Sequence, residues 1–476
     1  MDPSAFFKGG DVGLKFLRTD VIAEKFGVAE PPLRFFIGII LGYPMAICFL
    51  LISKTPFIRH LYISLCGIFI SYFCFGTDSA YILLSIIITY ASLILFGGTI
   101  YHVIFTFVFQ MSYLFGSYLF YASDGYDVKW TTPQCILCLR LIGLAWDCYD
   151  GKQPKENLRG DLKTTCYDKT PTLVEILGYS YFFGGFMAGP QFSFQRYTSF
   201  INGSLVDEEG LRTPNSRFVT ALKRTLVGIA SMLVFLQYDH AFPCNALLTE
   251  EFANKSFLAK CTQITLTYHI HFCKYVSIWS FSESACIITG LSYNGTKDGK
   301  SKWDGVRNFK FRTVLFGPFF QDMLEGFNIN TSQWAGRYVF RRLMFLRNKT
   351  VSHILTLLFL SLWHGFYVGY LILFGIEFLL IIAERQFCDA IRTLFSMTYA
   401  EQPLYIKLPI RLCNALFRAY ACGFAASAFM LLRWRRIKLV YAAVSYWLII
   451  VIVSWYIVII ILQTIIKSKR KEKKEE

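Results

Sequence analysis

Charge is what this chain has least of. Asp, Glu, Lys and Arg make up 17% of its 476 residues, against about 25% in an ordinary soluble domain. Histidine is scarcer still, at seven residues. Internal repeats and long polar linkers are missing, which argues against a solenoid or a string of soluble modules. The apolar runs lack strand-like alternation, so a membrane β-barrel is not expected. Residues 1–33 contain no apolar core of the kind a secretory leader needs. There is no HExxH and no G-x-S-x-G. The one CxxC, "CILC" at Cys135 and Cys138, stands beside Arg140 without a second pair, so packing explains it better than zinc or redox chemistry. "NGTKDGKS" (residues 294–301) ends like a phosphate-binding loop, but it opens on Asn instead of Gly and follows no strand pattern. It reads as a charged loop.

What is abundant is apolar: 54% of residues are hydrophobic and 18% aromatic. Residues 439–466 carry no charge at all, and a membrane span needs roughly 20 such residues. Further apolar runs lie near 34–52, 61–76, 79–99, 101–121, 173–189, 217–236, 275–293, 350–383 and 412–432. The pattern predicts an all-α polytopic membrane protein with about 11 transmembrane helices. Residues 1–33 form a cytosolic or interfacial segment, with an amphipathic helix around 12–26. Residues 34–467 form one multi-pass domain, and 468–476 a basic tail. The net charge of +16 flanks the apolar runs, so it reads as topology and attraction to anionic headgroups, with no call for nucleic acid. The tail "KSKRKEKKEE" places the C-terminus in the cytosol. Its Lys473 and Lys474 match a dilysine retrieval signal of the endoplasmic reticulum membrane. "LILFGGTIYHVIF" and "LGYSYFFGGFMAGPQFSFQRY" make poor simple spans. Broken helices of this kind are tolerated where they line a protein cavity, so the expected body holds an internal tunnel or chamber. Cys244 and Cys261 bracket a polar loop with the sequon Asn254-Lys255-Ser256. A disulfide and a glycan are left open there.

Polar groups inside apolar runs are the informative residues. A full charge there costs on the order of 2.5–3.5 kcal/mol and usually faces a cavity or a partner. His364, Glu377, Glu283, His353, Asp322 and Glu325 are the candidates. His364 sits in "LWHGFYVGY" (residues 362–370), within a stretch from 350 to 376 that contains no Lys, Arg, Asp or Glu. Trp363 on one side and Gly365 on the other suit a reactive group on a tunnel wall. Upstream lies "FNINTSQWAGRYVFRRLMFLRNK" (residues 327–349). Arg337 and Arg341 are four apart and share a helix face, as do Tyr338 and Arg342. Such a basic segment is either a solvated cytosolic flank or a docking site for a phosphorylated ligand.

These segments resemble the membrane-bound O-acyltransferase family, and within it the branch that acylates lysophospholipids. Supporting stretches are "RLIGLAWDCYDG" (140–151), "GYSYFFGGFMAGPQFS" (178–193), "KYVSIWSFSESACIITGLSYNG" (274–295) and "FLLIIAERQ" (378–386). There are departures. Val368 stands where many relatives have Pro, and Phe272 and Val276 replace Arg and Tyr in the R-x-K-Y-Y-x-x-W pattern.

The resemblance implies acyl transfer from coenzyme A to a hydroxyl, that of a lysophospholipid such as lysophosphatidylcholine. No resident cofactor is implied, with acyl-CoA a cosubstrate, and the scattered histidines give no metal site. His364 matches the family's catalytic histidine and Asn328 its second catalytic position, with Asn330 as the rival. Trp334, Arg337, Tyr338 and Arg341 are the candidate acyl-CoA contacts. An imidazole shielded from water stays neutral and can accept a hydroxyl proton. Self-association is left open. Two alternatives also stay open: a different acceptor (a sterol, diacylglycerol or protein), and a transporter or scramblase, although no paired broken helices in corresponding halves support the latter.

Overall fold

The computed structural model describes residues 18–121, 128–158, 160–205, 214–395 and 398–475. Among them nearly all regular structure is helical. The exceptions are a hairpin pairing Thr296–Lys297 with Lys300–Ser301 and a lone bridge between Phe309 and Phe327. The hairpin carries the phosphate-loop look-alike, which is therefore a surface turn.

Five helical stretches among the described residues are long and apolar enough to cross a membrane: Glu30–Leu51, Pro56–Phe96, Ile100–Phe120, Ser216–Tyr238 and Trp447–Ser468. Other predicted runs are shorter or carry charge. The run at 350–383 divides into Lys349–His364 and Val368–Phe395, the second bearing Glu377, Glu384 and Arg385. The uncharged stretch 439–466 is not one helix either. It breaks between Trp434–Ala443 and Trp447–Glu475, where Ser445 and Tyr446 adopt positive φ. Phe257–Thr289 is a single helix, with His269 and His271 inside it. Thr131–Gly151 is a helix that hydropathy alone did not mark. The predicted amphipathic helix at 12–26 is described from Thr19 to Phe26; its earlier part lies outside the described residues. The side chains of the dilysine tail also lie outside them.

The chain forms two compact units. One comprises residues 1–230, 276–308 and 330–345; the other comprises 231–275, 309–329 and 346–476.

In the first unit, Thr131–Gly151 organises the core. Its Arg140 is buried, and Nη1 donates to the Tyr179 and Ser180 carbonyls at 3.0 and 3.2 Å. Nη2 donates to Gly185 and Pro190 at 2.6 and 3.1 Å. The guanidinium also lies 4.5 Å from the Phe192 ring. These contacts explain how "YFFGGFMAGP" gives up helical hydrogen bonding while buried. Carbonyls left without partners there would each cost about 1–3 kcal/mol, and one cation supplies four of them. Tyr179, Phe182, Phe194 and Tyr197 pack around it as a fully buried aromatic block. A second polar knot joins Ser85, Gln110 and Gln134 between helices.

In the second unit, Val368–Phe395 packs on Leu404–Leu431 and on the C-terminal helix. Gly369 permits the first contact, since a Cβ there would collide with the Ala428 carbonyl. Glu384 accepts from the Phe320 and Gln321 amides, and Arg418 donates to the Leu315 and Phe319 carbonyls. Both anchor the segment that leads into Asn328. Cys244 and Cys261 are both free thiols.

Candidate active site

His364 is the last residue of its helix. Gly365 follows with φ 129°, a conformation L side chains rarely adopt, and ends the helix at once. The imidazole is enclosed by rings: Trp363 at 4.5 Å, Tyr370 at 5.4 Å, and Phe374 and Phe429 at 5.8 Å. Among the described residues its ring nitrogens make no hydrogen bond. Other histidines differ. His60 is bonded to the Tyr197 hydroxyl at 2.9 Å, His102 to Ser92 at 3.0 Å, and His269 to the Thr265 carbonyl at 2.7 Å. His271 contacts Cys244 and Asp239, each at 3.3 Å.

Asn328 lies in the same unit, half-buried, with φ 44° at the entry to the Ile329–Ala335 helix. Asparagine accepts this left-handed conformation more readily than most residues. A run of ring contacts leads from its position toward His364. Phe327 packs on Phe272 at 5.2 Å, and Tyr275, one turn along the same helix, packs on Phe429 at 6.5 Å. Phe272, a departure from the family pattern, thus fills the place of an arginine with a ring that packs against both Phe309 and Phe327.

Asn330 belongs to the other unit. Its side-chain amide donates to the Val306 carbonyl and to Asn308, and its backbone N–H also donates to Asn308. Four of the other candidates have plain roles. Glu283 is buried between Arg224 and Arg307 at 2.6 and 3.2 Å. Asp322 accepts from the Phe319 amide, Glu325 pairs with Gln321, and His353 packs on Phe378.

The basic segment after Asn330 is not a uniform α-helix. It widens to a π-turn over Gly336–Phe340 and tightens to 3₁₀ over Arg341–Leu346. Trp334 donates to the Leu139 carbonyl at 2.8 Å, and the Tyr338 hydroxyl donates to Asp147 at 2.6 Å. Arg337 and Arg341 both pair with Asp161; Arg342 pairs with Asp150 and stacks on Trp146. All three arginines are therefore paired; Arg337 and Arg342 are mostly buried, while Arg341 is exposed. Trp334, Arg337 and Tyr338 line a cavity of about 340 Å³ with Gln333, Asn330, Arg196 and the Thr164–Thr165 turn. Arg341 does not line it. Sequence reasoning missed Asp147, Asp150, Asp161 and Arg196. Their partners lie far along the chain, so no local spacing announces them.

Residues 114–427 match the membrane-bound O-acyltransferase family. That match covers more than half of the chain, and the chain belongs to that family. It is similar to lysophospholipid acyltransferase 5 of Homo sapiens, at 37% identity over 91% of this chain and 89% of that protein. It is 38% identical to lysophospholipid acyltransferase 5 of Bos taurus, covering 91% and 90% of the two chains. The Drosophila melanogaster protein of the same name is 33% identical, with 90% and 86% covered.

Proposed function

We propose that this chain transfers a fatty acyl group from acyl-CoA to the free hydroxyl of a lysophospholipid, with His364 as the general base. The observation that carries this reading is the uncommitted imidazole in a cage of aromatic rings. The acceptor is the sn-2 hydroxyl of lysophosphatidylcholine and related lysophospholipids, and the donor chain is polyunsaturated. As the hydroxyl oxygen bonds to the thioester carbon, an imidazole nitrogen takes its proton. The carbonyl oxygen gains negative charge, and the Asn328 amide N–H stabilises it. The C–S bond then breaks and the departing thiolate receives the proton from the imidazolium. Products are the diacyl lipid and free coenzyme A, with no acyl-enzyme and no metal. Asn330 is less suited to the second role, because its amide already holds Val306 and Asn308. Trp334, Arg337, Tyr338 and Arg341 belong to the acyl-CoA docking region. The fold comprises about 11 spans around a tunnel, in the endoplasmic reticulum membrane, with the C-terminus in the cytosol.

The test is release of free coenzyme A by purified protein given lysophosphatidylcholine and a polyunsaturated acyl-CoA, alongside sterol, diacylglycerol and peptide acceptors. Lysophospholipid-dependent release that His364→Ala abolishes is expected. Unimpaired ester formation by His364→Ala would overturn the proposal.

A further inference from the structure

The 340 Å³ cavity has a feature the acyl-CoA assignment does not use. No Asp or Glu lines it, yet two guanidinium groups do. Arg337 is neutralised by Asp161 at 2.9 Å. Arg196 is not paired with any carboxylate among the described residues. It sits on the short Phe194–Ile201 helix, outside the five spans, where burial lowers its pKa to about 10, so it stays a cation at neutral pH.

Its hydrogen bonds orient the cation without neutralising it. Nε donates to the Leu291 carbonyl at 3.1 Å and Nη2 to the Tyr293 carbonyl at 2.5 Å. Nη1 makes no hydrogen bond among the described residues. Arg140 makes a useful contrast, since both of its terminal nitrogens are taken by backbone carbonyls. A half-buried cation in no direct ion pair among the described residues, with the Asp304 carboxylate acting on it only through space, in a cavity that no acid lines, favours an anion, and guanidinium groups bind phosphate through paired N–H donors. The rest of the wall suits a flat heterocycle: the rings of Phe192, Trp334 and Tyr338, with the amides of Gln191 and Gln333. The Gln191 amide oxygen is buried without a partner. It is an acceptor ready for an exocyclic amine.

We infer that this cavity takes the phosphoadenosine end of coenzyme A, with Arg196 holding a phosphate. This rests on the acyl-CoA reading above and moves its phosphate contact from Arg337 and Arg341, both held by Asp161, to Arg196. A lysophospholipid headgroup offers similar phosphate chemistry, and the test separates the two sources.

Adenosine 3′,5′-bisphosphate is titrated against detergent-purified full-length protein, and KM is measured for acyl-CoA and for lysophosphatidylcholine. For Arg196→Gln the bisphosphate affinity should fall and KM for acyl-CoA rise, each by ~10–100-fold, the range for a charged hydrogen bond. KM for lysophosphatidylcholine and kcat at saturation should stay within about twofold. Gly305→Ala is the second variant, for use if Arg196→Gln folds poorly. A Cβ there would collide with the Arg196 guanidinium and displace it. It should shift the same two constants in the same direction, by less.

Unchanged bisphosphate affinity in both variants would overturn the inference. A rise confined to KM for lysophosphatidylcholine would also overturn it and assign Arg196 to the lipid. If the parent protein itself binds no bisphosphate and uses no acyl-CoA, the underlying acyl-CoA reading fails instead.

Discussion

Two enclosed cationic or basic centres in this protein are built on opposite plans. Around Arg140 every terminal nitrogen is used, four carbonyls converge, and an aromatic block seals the cluster. Around His364 there are rings on several sides and no hydrogen bond to the imidazole among the described residues. Four converging carbonyls make the first a structural centre, although its Nε is buried without a partner. A polar atom left unsatisfied inside apolar surroundings costs stability, so the second plan persists where a substrate completes it. His60, His102 and His269, each bonded to a fixed partner, show that this fold can satisfy an imidazole elsewhere.

Breaking the Arg140 centre should have the largest effect. Arg140→Met strands four carbonyls, and at about 1–3 kcal/mol each the loss approaches the whole stability of a domain. Expression as monodisperse protein in detergent should collapse, which size-exclusion chromatography reads. His364→Ala should leave that profile intact and lower kcat by ~10²–10⁴, the usual contribution of a positioned base. If both variants behaved alike, the contrast would be lost. Asn328→Asp comes next. Aspartate tolerates the left-handed backbone but removes the N–H donor, so kcat should fall by ~10²–10³ with the melting temperature nearly unchanged. The smallest effect belongs to His60→Phe, which leaves the Tyr197 hydroxyl without its partner. Stability should drop by about 1–3 kcal/mol, read by thermal melting, while kcat and KM hold.

The same contrast explains what the sequence could disclose. Apolar runs marked most helices, because hydropathy is local and additive along the chain. Position 364 stood out because a polar group there interrupts such a run, and position 328 only through the family resemblance. Thr131–Gly151 escaped because Arg140, Asp147 and Asp150 depress its apolar character, although the fold buries all three with partners 39 to 192 residues away. The break at Ser445 and Tyr446 escaped for a different reason. Neither residue is Gly, Pro or Asn, the usual markers of a positive-φ turn. The pairing of Arg337 and Arg341 with Asp161 was equally hidden, since charge spacing shows a shared face but not the partner that face meets.

Arg140 also has a consequence for biogenesis. A ribosome delivers the guanidinium first, and its four acceptors emerge 39 to 50 residues later. Until then the nascent helix holds a cation with nothing to donate to, a poor passenger for lipid on its own. Packing this helix into its final place must therefore follow the emergence of residues 179–190, which carry all four acceptors.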